Sequence, residues 1–354
     1  MLSKGLRSMV FALAGALFAC SAPAPAVNPN ALSAVRYAPK AFTSAKLFVL
    51  NYGTVTVYDS PYSQPPVTIG PQQGIVRDVN GIALGPSGSV WVQNCCAGNP
   101  VSSVREFLPP YTKAAVRVTK GINTPIWSAV TSKGWLVVAN QSPSGNNGNL
   151  LVYKPPYTGQ PANITFHQFS PIRVIVGPKD ELFVLYSDNT NSHVNGSVQI
   201  FKPPYAGPPA QSITEGLSSS METMTLSPNG ILAVGQGLAP QIVLFAPPYR
   251  HPIAKISNGV TGAPHAIALA PNGYLAEADD SNEFAVWKPP YRGAGVQNQH
   301  AIEPFSLTFD ANSNLFVAET YGTSVDVFAA PYTSFPAQQI TNGVDTPTRL
   351  LLGR

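Results

Sequence analysis

Short apolar runs of four or five residues, each closed by a polar residue and a turn signal, follow one another from Leu47-Phe48-Val49-Leu50-Asn51 to Arg349-Leu350-Leu351-Leu352. Runs of this length, bounded by Gly, Pro, Asn and Asp, predict β-strands rather than helices. A longer pattern overlies them. Gly196-Ser197-Val198-Gln199-Ile200-Phe201-Lys202-Pro203-Pro204-Tyr205 is its clearest copy, and Pro-Tyr pairs ending at Tyr62, Tyr111, Tyr157, Tyr205, Tyr249, Tyr291 and Tyr332 close seven copies in all. An aromatic stands four residues before every one of these tyrosines: Tyr58, Phe107, Tyr153, Phe201, Phe245, Trp287 and Phe328. The copies lie 41 to 49 residues apart, a period that predicts the blades of a β-propeller.

One copy shows the content of a blade. Pro264 to Leu269 predicts a first strand, Pro271-Asn272-Gly273 a tight turn, Tyr274 to Ala278 a second strand and Asn282 to Lys288 a third. The Pro289-Pro290-Tyr291 bend then leads to a fourth strand of variable sequence. Proline presets φ in such turns, and Gly or Asn accepts the positive φ that follows. First strands can be placed at 81–84, 127–130, 173–176, 223–226, 266–269, 306–309 and 349–352, whereas second strands begin earlier, at Leu47. The ends therefore complement each other: residues 349–352 should enter as the inner strand of the blade that opens at Leu47, closing the ring and removing a sheet edge. The expected fold is all-β, a seven-bladed propeller of four-stranded antiparallel blades over residues 46–354.

Composition agrees with many short strands, since 36 prolines and 29 glycines among 354 residues leave little room for helix. The period overrides the two or more domains that this length would otherwise suggest. Ahead of the repeats, Lys4 and Arg7 precede an apolar stretch from Met9 to Ala19, too short to span a bilayer, which predicts an export signal over residues 1–19. Leu17-Phe18-Ala19-Cys20 resembles the bacterial lipobox, which would make Cys20 a lipidated N-terminus; the alternative is ordinary cleavage near Ala22 or Ala26. Residues 20–45, rich in Pro, Ala and Ser, then form a tether. The expected address is the cell envelope, at the outer membrane of a diderm organism if lipidated and otherwise periplasmic or secreted. Once Lys4 and Arg7 leave with the leader, 19 basic residues face 17 acidic ones, and so small and scattered an excess excludes nucleic acid as a partner. A monomer held to the membrane only by its lipid is expected. Cys95 and Cys96 are adjacent and lack zinc or haem spacing; in an oxidising compartment they read as a vicinal disulfide or as two free thiols.

The Pro-Tyr bends and the Pro-Asn-Gly turns share one face. Seven tyrosines at one structural position point to scaffold, each ring lying on the neighbouring blade with its hydroxyl given to a backbone carbonyl; Pro-Pro-Tyr is also a ligand pattern for WW-type modules. The opposite face carries long polar loops at 94–103, 141–149 and 187–196. There, the second strands end on Asn51, Asn94, Asn140, Tyr186, Gln236, Asp279 and Glu319, a polar set expected to ring the channel. The residues opening the first strands, Asn80, Ile126, Ile172, Glu222, His265, Phe305 and Thr348, share that face with Trp127, Arg173 and Arg349. Such a ring either satisfies backbone groups of the adjoining loops or converges on a ligand or a hard cation such as calcium or magnesium. Arg349 is expected to neutralise Glu319. Signatures of a catalytic nucleophile or a phosphate loop are absent from the sequence.

GIALGPSGSVWV at residues 81–92 and HAIALAPNGYLA at 265–276 resemble the repeat of the NHL, SMP-30/gluconolactonase and virginiamycin B lyase propellers, a resemblance that covers residues 46–354. The lyase resemblance implies seven blades, a magnesium ion, and catalytic histidines and a glutamate near the ends of second strands. Glu319 stands at such a place, but Tyr321 occupies the position where a Glu-x-His pair has its histidine. The lactonase resemblance implies a calcium-type ion held by residues of the kind of Asn51, Asn94, Asn140, Asp279 and Glu319. The leading functional reading is a non-catalytic module that binds a protein or small-molecule ligand through its long-loop face. The alternative is a metal-dependent lactonase, hydrolase or streptogramin lyase-like enzyme working at the channel mouth.

Overall fold

The computed structural model describes residues 46–353 except 77–78, 96–101, 142–147, 166–169, 188–195, 219 and 280–282. Seven antiparallel sheets of four strands make up this region, with a single short 3-10 turn at Pro71–Gln73. Six blades run through the chain in order from inner to outer strand, as in Val79–Leu84, Val90–Asn94, Ser103–Phe107 and Ala114–Val118 of blade two. Blade one departs as the sequence pattern requires. Its inner strand is Arg349–Gly353, paired antiparallel to Lys46–Asn51 with Leu50 opposite Arg349 and Lys46 opposite Gly353.

No central core exists, because the inner strands surround a channel; the apolar side chains gather instead into seven clusters, one between each pair of neighbouring blades. This explains why second strands are apolar throughout rather than alternating. Leu47 and Val49 enter the cluster shared with blade seven, whereas Phe48 and Leu50 enter the one shared with blade two. Both faces of the sheet are interfaces, so the period-2 rule selects which neighbour a side chain meets and not whether it is buried.

The seven Pro-Tyr bends lock the blades together. Each proline follows a cis peptide bond, and each tyrosine has φ between 59° and 67°, a region that residues other than glycine and asparagine rarely enter. Six of the hydroxyls donate to the carbonyl of the turn between inner and second strand of the same blade: Tyr111 to Gly88, Tyr157 to Gly134, Tyr205 to Asp180, Tyr249 to Gly230, Tyr291 to Gly273 and Tyr332 to Ser313, at 2.6 to 3.0 Å. The exception has a cause. Tyr62 lies in blade one, whose inner strand comes from the far end of the chain, so no turn there presents a carbonyl. The rings lie edge-on against an aromatic at the start of the preceding blade's second strand, as in Tyr111 on Phe48, Tyr157 on Trp91, Tyr249 on Phe183 and Tyr62 on Phe316, with centroids 5.0 to 5.8 Å apart. The tyrosines are scaffold: Tyr111, Tyr205, Tyr291 and Tyr332 are buried and their hydroxyls engaged, which leaves no surface for a WW-type module.

Two outcomes follow for stability. Tyr205→Phe should lose about 1 kcal/mol, the usual net value of one hydrogen bond, and Tyr205→Ala about 3 kcal/mol, while Tyr62→Phe stays close to wild type; denaturant titration measures the difference. Deleting residues 345–354 should unfold the propeller cooperatively, and a truncated protein that melts like the full chain would contradict the closure.

Candidate functional site at the channel mouth

The two polar rings expected at the mouth separate in space. The residues that end the second strands do not line the channel; six of them hold the loop by which the chain enters their own blade. Asn51 donates to Gly343 O and accepts from Asp345 N, and Asn94 donates to Gly74 O at 2.9 Å. Asn140 and Gln236 repeat the pattern, accepting from the backbone N–H of Asn123 and Ser218 and donating to the carbonyls of Gly121 and Gly216. An amide serves both groups of the loop because it carries a donor and an acceptor. Asp279 and Glu319 can only accept, and they take N–H groups: Asp279 those of Thr261 and Gly262 with the Thr261 hydroxyl, Glu319 that of Ile302. Tyr186 is buried in the interface between blades three and four.

The first-strand residues do converge on the mouth. In five blades the inner strand carries a β-bulge there, at residues 80, 126, 172, 222 and 305. A bulge adds one residue to the strand and re-aims its side chain; Ile126, Ile172, Glu222 and Phe305 are thereby brought to the channel lining. The channel encloses about 520 Å³, and its lining carries Arg173, Arg349 and Glu222 together with His265. Phe305 stacks on His265 with ring centroids 5.9 Å apart.

Both arginines stack on one indole, with Arg349 Cζ 3.6 Å and Arg173 Cζ 4.3 Å from the Trp127 ring centre. Arg173 donates from Nε to Glu222 O at 3.1 Å and from Nη2 to His265 O at 3.2 Å, and Arg349 donates from Nε to Asn80 O at 3.1 Å. The mouth is thus tied across blades one to six by two arginine side chains through three backbone and two ring contacts. Burial pushes both guanidinium pKa values down. That of Arg173 falls to about 10 despite the opposing Glu222 carboxylate, and that of Arg349 falls further because Arg173 stands beside it.

The expectation that Arg349 neutralises Glu319 fails, because the arginine turns inward to Trp127 while Glu319 turns to the loop at Ile302. Among the described residues the ion pairs are Lys46 with Asp59 and His251 with Glu215, neither at the mouth. A hard cation does not fit either. Among the described residues the mouth offers one carboxylate against two guanidiniums, the ring oxygens other than Glu319 Oε1 accept loop N–H groups or lie in blade interfaces, and no cluster of three or more His, Cys, Asp or Glu side chains with metal-site geometry exists. Cys95 is buried and disulfide-bonded. Cys20, Cys96 and most of the three long loops lie outside the described residues.

One residue escaped the sequence reading. Two positions before the end of each second strand stand Val49, Val92, Val138, Val184, Val234, Glu277 and Val317: six valines and a glutamate. Glu277 is 2% exposed in the interface between blades five and six, and its Oε1 has no hydrogen-bond partner among the described residues. Burial, with Asp279 adding repulsion, pushes its pKa to about 9. Burial also raises Glu319, to about 7, against the pull of the Ile302 N–H.

The chain is a seven-bladed β-propeller. No protein-family model matches it, and no curated protein does. Among solved structures it is similar to hydrazine synthase of Kuenenia stuttgartiensis (TM-score 0.66, 14% identity, 81% of this chain and 93% of that one). It is equally similar, with TM-scores of 0.66 and 11% identity, to a functionally unknown protein of Desulfotomaculum acetoxidans and to a protein of Lactobacillus plantarum; 88% of this chain covers 99% and 100% of theirs. Likeness at this identity concerns the fold.

Glu277 gives a pH prediction with a definite sign. An acid whose pKa is raised by folding binds its proton more tightly in the native state, so stability is full below the ordinary carboxylate range and falls as pH rises toward about 9. The slope is up to about 1.4 kcal/mol per pH unit. Glu277→Val should therefore stabilise the protein at pH 8 and much less at pH 5, as read from melting curves at the two pH values; equal shifts would contradict a protonated native glutamate.

Proposed function

We propose that this propeller is an exported, lipid-anchored, non-catalytic binding module that works through the face carrying the channel mouth. The observation behind this reading is the mouth itself. Two guanidiniums and a single carboxylate, that of Glu222, face an open cavity there among the described residues, whereas the opposite face is occupied by the tyrosine scaffold. The same face exposes Tyr52, Leu238, Ile302, Phe305 and Tyr321, more large apolar surface than a loop face needs for its own packing. Hydrogen-bonded amides and carboxylates around this face are committed to loop backbone, which leaves the N–H edges of the arginines and the Glu222 carboxylate for recognition.

The enzyme alternative rests on Glu222 and His265, which line one mouth. Incubating the protein with a panel of lactones and esters, in calcium, in magnesium and in EDTA, should give no turnover above background. Hydrolysis that is lost in Glu222→Gln or His265→Ala would overturn the non-catalytic reading. For the address, Cys20→Ser should move the protein from the membrane to the soluble fraction, because the acyl chains, at about 0.8 kcal/mol per buried methylene, supply the anchoring energy; unchanged fractionation would refute the anchor.

A further inference from the structure

The geometry points to a ligand class for the channel: a carboxylate with an unbranched apolar tail, its head on the outward N–H edges of the arginines that flank the Trp127 ring and its chain running down the bore. This rests on the binding reading above and makes it specific. Charge argues for the head. Of the side chains that line the channel, two guanidiniums face the single Glu222 carboxylate, whose Oε1 already accepts from the Ser220 hydroxyl at 3.0 Å. Among the described residues the mouth is short of one negative charge. Further, each arginine is held from behind: Nε is used on a carbonyl, and the guanidinium plane is stacked on Trp127. Arginine fixed in this way offers its remaining N–H edge as a preorganised fork for a planar oxyanion. Arg349 makes no hydrogen bond from either Nη to a described residue. A lysine pair could not be stacked and aimed like this.

The bore argues for the tail. Below the arginines the lining side chains are mostly apolar, ending on Leu84, Val130, Val176, Leu269, Phe309 and Leu351, with the hydroxyls of Ser128, Thr225 and Thr308 as the polar exceptions. From Arg173 to Val176 the inner strand of blade four, which lines the bore throughout, rises about 10 Å at roughly 3.3 Å per residue, close to the length of an extended eight-carbon chain. The volume of about 520 Å³ is that of a small-molecule site. Sulfate or phosphate would satisfy the arginines but leave the bore unused, and a cationic amphiphile would meet the wrong charge.

The test uses octanoate, acetate and octyltrimethylammonium on the full chain by titration calorimetry. Octanoate should bind one per protein, acetate at least tenfold more weakly, and the ammonium not at all. Arg349→Met should weaken octanoate at least tenfold. Because Arg349 lies on the closing strand, a second measurement keeps the test clear of misfolding: 2-bromo-octanoate should quench indole emission of the wild type, and the quench should vanish in Trp127→Phe. Acetate binding as tightly as octanoate overturns the tail. Octanoate binding that survives Arg349→Met in a cooperatively melting variant overturns the head, and neither heat nor quenching at millimolar octanoate overturns the whole proposal. Such failure leaves the non-catalytic reading in place, since that reading falls to lactone turnover instead.

Discussion

Everything in this molecule depends on the packing of each blade against its two neighbours. A four-stranded sheet with apolar side chains on both faces cannot bury them alone, and here each face is covered by the next copy of the same unit. The bend tyrosines secure this arrangement through rings on the preceding blade and, in six of the seven blades, through a hydroxyl on their own inner turn. Stability is therefore shared around the ring, and the channel is left over where seven inner strands cannot meet. A site in such a channel draws on every blade without belonging to the core of any.

Much of this could be read from the chain. Seven Pro-Tyr pairs gave the blade number, the displaced order of first and second strands gave the closure, and the recurrence of tyrosine gave the scaffold role, because each feature repeats and each answers to local chemistry. The mouth was only half legible. Alternation tells one sheet face from the other, but in second strands both faces meet blades, so Asn94 or Gln236 could not be distinguished by pattern from a channel-lining residue. The bulges at residues 126, 172 and 222 were equally hidden, since one inserted residue changes the direction of a side chain without changing composition. Glu277 was visible in principle: aligning the seven second strands exposes one glutamate in a column of valines.

The clamps at the ends of the second strands show how one position serves different loops. Where the incoming loop presents a carbonyl and an N–H, the chain uses asparagine or glutamine; where it presents N–H groups, it uses aspartate or glutamate. What looked like a graded ring of metal-ligand types is a set of local answers to backbone hydrogen bonding. The acidic members, Asp279 and Glu319, fall in consecutive blades for that reason, with no shared ligand required.

Arg349 belongs to the strand that closes the ring. Half of the guanidinium pair is thus delivered by the segment that pairs last in sequence with the first strand of the propeller, Leu50 opposite Arg349 itself. An open ring, with six complete blades and a three-stranded seventh, would carry Trp127 and Arg173 but not the mouth they form. The channel mouth is in this sense a report on assembly: only a chain that has joined its two ends presents both guanidiniums on Trp127, and an open copy has no such mouth at all.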